Sequence, residues 1–421
     1  MTSIRAFSAI IRHKKLPNNL REPFFQDANP SKLPIDSTNK MDEAFSKLKD
    51  GTFNYTVQTY REHSGSNVFM QGAAATPTLL AQALKKYVLE KKLKNINVYH
   101  IHTDGPYPFL DPDCEGHFKS ISLFTGGACR PGIEKGKASY IPIFLSEIPS
   151  LFRCGHVPLD LAMVSLAPDI GHGYFSLGSS IDTTRAALQN AKVVVGQINS
   201  KLPYTFGHAN VHRSQIDYVM RGDMDLHLSK EPNVTEVEKK IAMHIANNLV
   251  DDGATLQMGI GSIPDAVLHE LSNHKDLGIH TEMFTDGLID LFNKGAITNT
   301  KKRLYTGKIV SSFAVGSQKV FDFMHKNPLI EMLDIEYVNS PKVICSMPKM
   351  TAINSCIEID LTGQICADSI GTRIFSDNIF TTHQSKYPGS GRFHLAALPP
   401  PGYLEPELSL QDVVIDTDSW V

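Results

Sequence analysis

The sequence lacks three features that would each define a class of protein. Basic residues are not in excess, since 41 Lys and Arg stand against 44 Asp and Glu, giving a net charge of −3. Its apolar runs, such as residues 141–145 and 193–195, are far shorter than the roughly 18 to 20 residues of a membrane helix. Six cysteines include no CxxC pair. We therefore expect no nucleic-acid partner, no membrane span and a reducing compartment.

What is present is an ordinary globular composition in a long chain. With 421 residues, 42% of them apolar and 20% charged, the chain exceeds the usual size of one hydrophobic core. Two α/β domains are the natural expectation. The first 25 residues differ from the rest, because five basic residues precede the first acidic one, Glu22. This is typical of a mitochondrial transit peptide, and a disordered basic tail is the alternative.

The chain repeats a local pattern. The segment GSNVFMQGAAATPTLLAQAL, from Gly65, and the segment GATLQMGIGSIPDAVLHEL, from Gly253, both read as a strand ending in Met, a glycine turn and a helix. A second pair follows in the same order, with MVSLAPDIGHGYFSLG and IEIDLTGQICADSIG each reading as strand, turn, strand. Two tandem copies of one α/β design with mostly parallel sheets are predicted. We assign the first domain to residues 26–222 and the second to residues 223–376.

The second domain should open with a helix. Thr235 and Glu238 form a capping-box pattern, and Val237, Ile241, Ile245 and Leu249 then recur every fourth residue up to Asp252 and Gly253. This spacing predicts one buried helix face. The strand ATLQM follows it.

Two neighbouring motifs carry the candidate chemistry. The turn after ATLQM contains Gly259, Ile260, Gly261, Ser262 and Ile263, whose main-chain N–H groups at a helix start could hold an anion or an oxyanion. A tight strand-to-helix connection without a ligand is the alternative. About twenty residues later, HTEMFTDG places Glu282 near the end of a predicted strand over residues 279–284, where α/β sheets bind ligands.

GIGSIP followed by HTEMFTDG resembles the acetyl-CoA hydrolase/transferase family, most closely its butyrate, 4-hydroxybutyrate and acetate CoA-transferase members. The resemblance runs from about residue 40 to Ser376 and includes VSLAPDIGHGYFSLGSSID and VVVGQINSKLPYTFG. It implies that Glu282 is a nucleophile that passes through a mixed anhydride to a glutamyl-CoA thioester. The turn residues would contact CoA. A carboxylate is expected to be ionised already at neutral pH, so no base is needed.

The same resemblance implies that Asn339, in IEYVNSPKVI, meets the acyl or carboxylate group. A turn residue before Pro341 is the alternative. CoA and acyl-CoA would be substrates, with no permanently bound cofactor, and the family suggests a homo-oligomer. No metal is expected, because no later ligand set at recognisable spacing completes the pair His100 and His102.

The resemblance ends after Ser376. The family continues with a stretch of the type GxGGQxDF that supplies a backbone donor to the reacting thioester oxygen, whereas residues 377–421 here form an atypical tail with the run Pro399 to Pro401. Its periodicity predicts little regular structure and an open sheet edge.

Our reading is a mitochondrial CoA-transferase acting on small carboxylates such as acetate, propionate, butyrate, 4-hydroxybutyrate or succinate. An acetyl-CoA hydrolase using the same site and an isoform impaired by its tail are the alternatives. A sugar-phosphate isomerase is disfavoured, because no basic cluster accompanies Glu282.

Overall fold

A computed structural model describes residues 45–46, 65–229, 234–259, 261–362, 364–367, 369–370, 373–374, 392–397 and 414–416. The proposed transit peptide, residue Ile260 and most of the tail lie outside these ranges. No helix among the described residues is long and apolar enough to cross a membrane.

The first half alternates strands and helices, as its repeat pattern predicts. Its strands are β1 Asn67–Met70, β2 Ile96–His100, β3 Phe118–Ser122, β4 Ala138–Tyr140, β5 Leu161–Leu166, β6 Tyr174–Ser176, β7 Val193–Ile198, β8 Phe206–Gly207, β9 Asn210–His212 and β10 Tyr218–Arg221. Its α-helices are α1 Thr78–Glu90, α2 Arg130–Glu134, α3 Ile148–Arg153 and α4 Thr184–Asn190. Among the described residues of this half, 3₁₀ turns lie at Pro108–Leu110, Pro112–Cys114, Leu145–Glu147 and Arg213–Gln215.

The second half repeats this alternation with shorter strands. They are β11 Thr255–Met258, β12 Gly278–Ile279, β13 Met283–Phe284, β14 Ile309–Ser311, β15 Phe313–Ala314, β16 Ile330–Met332, β17 Met350–Cys356, β18 Glu358–Ile359, β19 Ile365–Cys366, β20 Ser369–Ile370, β21 Arg373–Ile374, β22 Arg392–Ala397 and β23 Val414–Asp416. The helices are α5 Glu236–Leu249, α6 Ser262–Glu270, α7 Asp286–Asn293, α8 Gln318–Met324, α9 Ile335–Val338 and α10 Pro341–Ile344, with a 3₁₀ turn at Leu271–Asn273.

The two main sheets share one strand order. The seven-stranded sheet of the first half runs β10-β7-β5-β1-β2-β3-β4, and all its neighbours pair in parallel. The five-stranded sheet of the second half runs β12-β11-β17-β22-β23, with parallel pairing up to β22. Strands β12, β11 and β17 therefore take the places of β2, β1 and β5. The predicted α/β fold with mostly parallel sheets is confirmed.

The tail contributes strands that its sequence pattern does not predict. Strand β22 pairs in parallel with β17 from Thr351 opposite Arg392 to Cys356 opposite Ala397, and β23 pairs antiparallel with β22. The prediction of an open edge beside β17 is wrong, because β22 occupies the place that β7 has in the first sheet. Pairing with a preformed strand overrides weak local periodicity. Pro399 to Pro401 lie outside the described residues.

Helix α5 confirms the predicted capping box. The Thr235 side chain accepts from the Glu238 N–H, and the Glu238 carboxylate accepts from the Thr235 N–H. The helix ends at Leu249, slightly earlier than predicted. Ile241, Ile245 and Leu249 are buried as predicted, but Val237 is 39% exposed, so the prediction is wrong at this position.

The two halves interlock. Strand β8 of the first half pairs in parallel with β16, which also pairs with β14. One hydrophobic cluster joins residues of the first half, such as Phe69 and Ile101, to Phe313 and Val338 of the second. The interface is therefore a packed core, and the candidate site lies in it.

Candidate active site

Glu282 lies in a break between two short strands. The predicted strand over residues 279–284 is wrong in its continuity, because β12 ends at Ile279 and β13 begins at Met283. The Thr281 hydroxyl meets the Met258 N–H and C=O groups at 3.0 and 3.1 Å. The Thr281 N–H turns instead to the Val310 carbonyl, 3.1 Å away. At the end of β11, the Thr281 side chain thus takes the place of a main-chain ladder partner. The segment after β12 crosses from β11 toward β14.

The backbone of Glu282 is firmly held on its far side. Its carbonyl accepts from the N–H groups of Ser312 and Phe313 at 2.9 and 3.1 Å, and from the Ser311 hydroxyl at 3.0 Å. These donors belong to the segment that joins β14 to β15. The main chain of Glu282 is therefore fixed by three hydrogen bonds on this side.

The Glu282 carboxylate is 5% exposed and accepts a hydrogen bond from the Asn339 amide at 2.9 Å. Burial raises the pKa of Glu282 to about 7, the Asn339 hydrogen bond opposes this rise, and the charge of Asp182 adds to it. The expectation that this carboxylate is fully ionised at neutral pH is therefore wrong. Both protonation states are populated near pH 7.

Asn339 caps the C-terminus of α9, where its N–H donates to the Ile335 carbonyl at 2.9 Å. Its amide nitrogen bonds Glu282, while its buried Oδ1 atom meets no hydrogen-bond partner among the described residues. The turn before Pro341 and the contact with Glu282 thus coexist. A catalytic role for Asn339 stays a prediction.

The first half supplies Asp182, which the sequence reasoning missed. Asp182 is 2% exposed, and its carboxylate accepts from the Ser180 and Thr184 hydroxyls and from the N–H groups of Thr183 and Thr184. Its main chain bonds Ser312 and Ile335 of the second half. The segment FSLGSSID was noted for its resemblance alone. Nothing local indicates that the charge of this acid acts on Glu282 across the interface.

His102 is the second residue that the sequence did not assign to this site. Its Nε2 atom lies 4.0 Å from an Asp182 carboxylate oxygen, and its ring packs on Phe313 with centroids 4.5 Å apart. His100 instead bonds Ser120, at 2.9 Å from its Nε2. In the described part of the chain, no group of three or more His, Cys, Asp or Glu residues could hold a metal ion.

The glycine turn starts beside this centre, because Met258 bonds Thr281. A Cβ atom on Gly259 would lie 2.4 Å from the Asn354 side-chain oxygen, and Gly261 has φ of +131°. Both positions require glycine for packing against β17 and for backbone shape. Ser262 donates to the Glu238 carboxylate, and Ile263 is fully buried. Contact of these residues with CoA stays a prediction, and Ile260 lies outside the described residues.

An ion pair fixes the helix that carries Asn339. Arg153 of α3 lies 2.5 Å from the Asp334 carboxylate and also pairs with Glu336. Asp334 caps α9 by accepting from the Glu336 N–H at 2.9 Å. The first half thereby anchors the helix that places Asn339 against Glu282.

Known proteins match both halves of the chain. The acetyl-CoA hydrolase/transferase N-terminal domain matches residues 56–226, and the C-terminal domain of the same name matches residues 316–378. A succinyl-CoA:acetate/propanoyl-CoA:succinate CoA transferase of Fasciola hepatica is 52% identical over 372 residues, covering 88% of this chain and 74% of that protein. A 4-hydroxybutyrate coenzyme A transferase of Clostridium kluyveri is 39% identical, covering 79% of this chain and 77% of that protein.

Solved structures agree. The 4-hydroxybutyrate CoA-transferase of Porphyromonas gingivalis is 36% identical, with a TM-score of 0.65 over 77% of this chain and 74% of that one. RipA of Yersinia pestis is 30% identical, with a TM-score of 0.71 over 79% and 75% of the two chains. The predicted family is confirmed by sequence and by structure: the chain belongs to the acetyl-CoA hydrolase/transferase family of enzymes.

Proposed function

We propose that this chain transfers CoA between small carboxylic acids, through a thioester on Glu282. The observation that carries the proposal is a carboxylate 5% exposed, held by Asn339 at the interface of the two halves. Acetate, propionate, butyrate, 4-hydroxybutyrate and succinate are the candidate acids. The named activities of the relatives in Fasciola hepatica and Clostridium kluyveri support this range.

The reaction uses one carboxylate twice. The Glu282 carboxylate attacks the acyl carbonyl of an acyl-CoA, the carbon–sulfur bond breaks, and a mixed anhydride and a CoA thiolate form. The thiolate attacks the Glu282 carbonyl of the anhydride, which releases the first acid as its carboxylate and leaves glutamyl-CoA. An acceptor carboxylate then reverses both steps, and a new acyl-CoA leaves with Glu282 restored.

The burial of Glu282 suits this chemistry. A raised pKa makes the ionised carboxylate a stronger base and nucleophile than an exposed one. Exclusion of water protects the anhydride and the thioester from hydrolysis, which would turn transfer into the alternative acetyl-CoA hydrolase activity.

CoA and acyl-CoA enter this proposal as substrates, with no cofactor bound permanently. The glycine turn at Gly259 and Gly261 would face the CoA moiety, because it begins at Met258, which bonds Thr281 next to Glu282. A homo-oligomer and a mitochondrial location directed by residues 1–25 are part of the proposal. Import of a fluorescent fusion of residues 1–25 tests the location.

Trapping of the thioester tests the function. Purified protein is incubated with acetyl-CoA and reduced with borohydride, and peptide mass spectrometry should find the side chain of Glu282 converted to the alcohol. Glu282→Ala should lack the product, and Glu90→Ala, an exposed glutamate at the end of α1, should keep it.

Acceptor acids separate the alternatives. Adding butyrate to acetyl-CoA should give butyryl-CoA with ping-pong kinetics if the chain is a transferase, whereas release of free CoA without an acceptor product indicates a hydrolase. A folded protein that gives neither a trapped Glu282 nor turnover would contradict the proposal and favour an impaired isoform.

A further inference from the structure

His280 is a fully buried residue close to the reacting carboxylate, and the mechanism above does not use it. Its Nε2 atom lies 2.8 Å from the Val338 carbonyl oxygen. A carbonyl can only accept, so the ring must carry its proton on Nε2 and donate it. The His280 main chain is fixed as well, because its N–H donates to the Leu256 carbonyl at 3.0 Å.

Two hydrogen bonds run side by side between the same two segments. The His280 ring donates to Val338, and the Asn339 amide donates to Glu282 at 2.9 Å. The segment of residues 280–282 thus contacts residues 338 and 339 at two neighbouring points. The Val338 carbonyl belongs to the peptide unit that includes the Asn339 nitrogen, and this unit is planar. Fixing that oxygen therefore fixes the position of the Asn339 Cα atom, from which the side chain extends.

We propose that His280 is a positioning residue that holds Asn339 in hydrogen-bonding reach of Glu282 through the Val338 carbonyl. This inference rests on the proposed function, in which Glu282 is the nucleophile. His280 itself touches neither substrate nor the reacting atoms.

The surroundings keep this donor neutral. Burial lowers the pKa of His280 to about 4, the bond to Val338 opposes this, and the charged form of Lys302, whose own pKa burial lowers to about 7, lowers it further. The ring therefore donates as the same tautomer throughout the neutral range. Lys302 braces the other side of the segment, where its Nζ donates to the carbonyls of Ile279 and Lys308, both at 2.6 Å.

Stability alone does not account for a histidine here. Its Nδ1 atom is buried and meets no hydrogen-bond partner in the described part of the chain. An unsatisfied buried nitrogen opposes folding, and an apolar side chain would avoid that cost. The bond to Val338 is what a histidine supplies and an apolar residue does not.

A double-mutant cycle tests the inference. His280→Leu removes the donor, and His280→Gln retains an N–H group. We expect H280L to lower kcat by about 10- to 100-fold with KM for acetyl-CoA changed by less than about 3-fold. The acidic limb of its pH profile should move to higher pH, because Glu282 loses the hydrogen bond that lowers its pKa. H280Q should recover much of kcat.

The cycle with Asn339→Leu decides whether His280 acts through Asn339. H280L combined with N339L should be no slower than N339L alone, since both remove one interaction. Fully additive losses, or an H280L enzyme with wild-type kcat and pH profile, would overturn the inference. If H280L does not fold, His280→Phe, which also lacks an N–H donor, takes its place in the cycle. His100→Gln is the control, because His100 is equally buried in β2, and it should keep activity within about 3-fold.

Thioester trapping in the wild type separates this inference from the proposed function. Loss of trapping in the wild type defeats the function itself. Trapping in the wild type together with unchanged H280L kinetics defeats only the positioning role.

Discussion

Strand β2 in the first half and the broken strand β12–β13 in the second occupy equivalent places, each beside the strand that ends in a glycine turn. Strand β2 runs unbroken from Ile96 to His100, whereas β12 ends after two residues at Ile279. Val98 pairs with Val68 as Ile279 pairs with Leu256. Ile101 lies three residues after Val98, and Glu282 lies three residues after Ile279.

The two positions differ in chemistry as well as in shape. Ile101 is an apolar residue packed in the hydrophobic cluster between the halves, whereas Glu282 places its own carboxylate in a buried position. A regular ladder presents side chains only to the two faces of its sheet, where helices cover them. The break after Ile279 lets Glu282 leave the ladder and meet Asn339. The first half therefore keeps a regular strand at this place, whereas in the second half the strand is broken and the candidate site forms at the break.

The largest expected effect comes from removing the charge of Glu282, so that this position becomes uncharged like Ile101 in the first half. Glu282→Gln should lower turnover by at least about 1000-fold, because the nucleophile is lost. It should also change how stability depends on pH. The pKa of Glu282 is about 7 in the folded protein against 4.5 unfolded, so its stabilising contribution is complete below 4.5 and is lost as pH rises through 7.

Urea unfolding of the wild type and E282Q between pH 4.5 and 8 measures this loss. The wild type should lose about 3 kcal/mol relative to E282Q over the interval. Parallel stability curves would mean that Glu282 is not desolvated in the folded protein.

A glycine-to-alanine substitution should destabilise the glycine turns of the two halves unequally. A Cβ atom on Gly72 would lie 2.1 Å from the His102 carbonyl oxygen, whereas on Gly259 it would lie 2.4 Å from the Asn354 side-chain oxygen. A backbone atom cannot move aside as a side chain can. Gly72→Ala should cost about 3 kcal/mol in the free energy of unfolding and Gly259→Ala about 1 kcal/mol. Equal losses by chemical denaturation would contradict this contrast.

Asn339→Leu sharpens the comparison by removing the polar partner that only the second copy has. Turnover should fall by about 10- to 100-fold, and the acidic limb of the kcat/KM profile should move to higher pH, because the Asn339 hydrogen bond lowers the pKa of Glu282. Steady-state rates from pH 5 to 9 measure both effects. An unshifted limb would show that Asn339 does not act on the carboxylate.

Asp182→Asn should give the smallest change and the opposite shift. The charge of Asp182 raises the pKa of Glu282, so its removal should move the acidic limb to lower pH. Asp225→Asn, an exposed aspartate paired with Lys201, is the control and should leave the limb in place. A shift of the D182N limb to higher pH would mean that Asp182 acts on Glu282 other than through its charge.

Local patterns in the sequence were sufficient for part of this picture. The repeat predicted that β1 and β11 precede equivalent helices, and the capping box placed the start of α5, because both features depend on residues close together in the chain. The resemblance singled out Glu282 and Asn339, which are 57 residues apart and bonded in the structure.

The remainder depends on contacts between distant residues. Asp182 meets the Glu282 environment only when the halves dock, and its own neighbours in sequence are unremarkable hydroxyl residues. The break after Ile279 follows from the Thr281 hydroxyl replacing a main-chain partner, which no periodicity signals. Strand β22 forms because β17 offers an edge.

The pairing of β8 with β16 limits how substrates can enter. Opening the two halves as rigid bodies would have to break that ladder and the Arg153–Asp334 ion pair. On the proposed function, a bulky thioester would therefore have to reach Glu282 while the two halves stay joined. One acid would then leave and the next enter with the ladder and the ion pair intact.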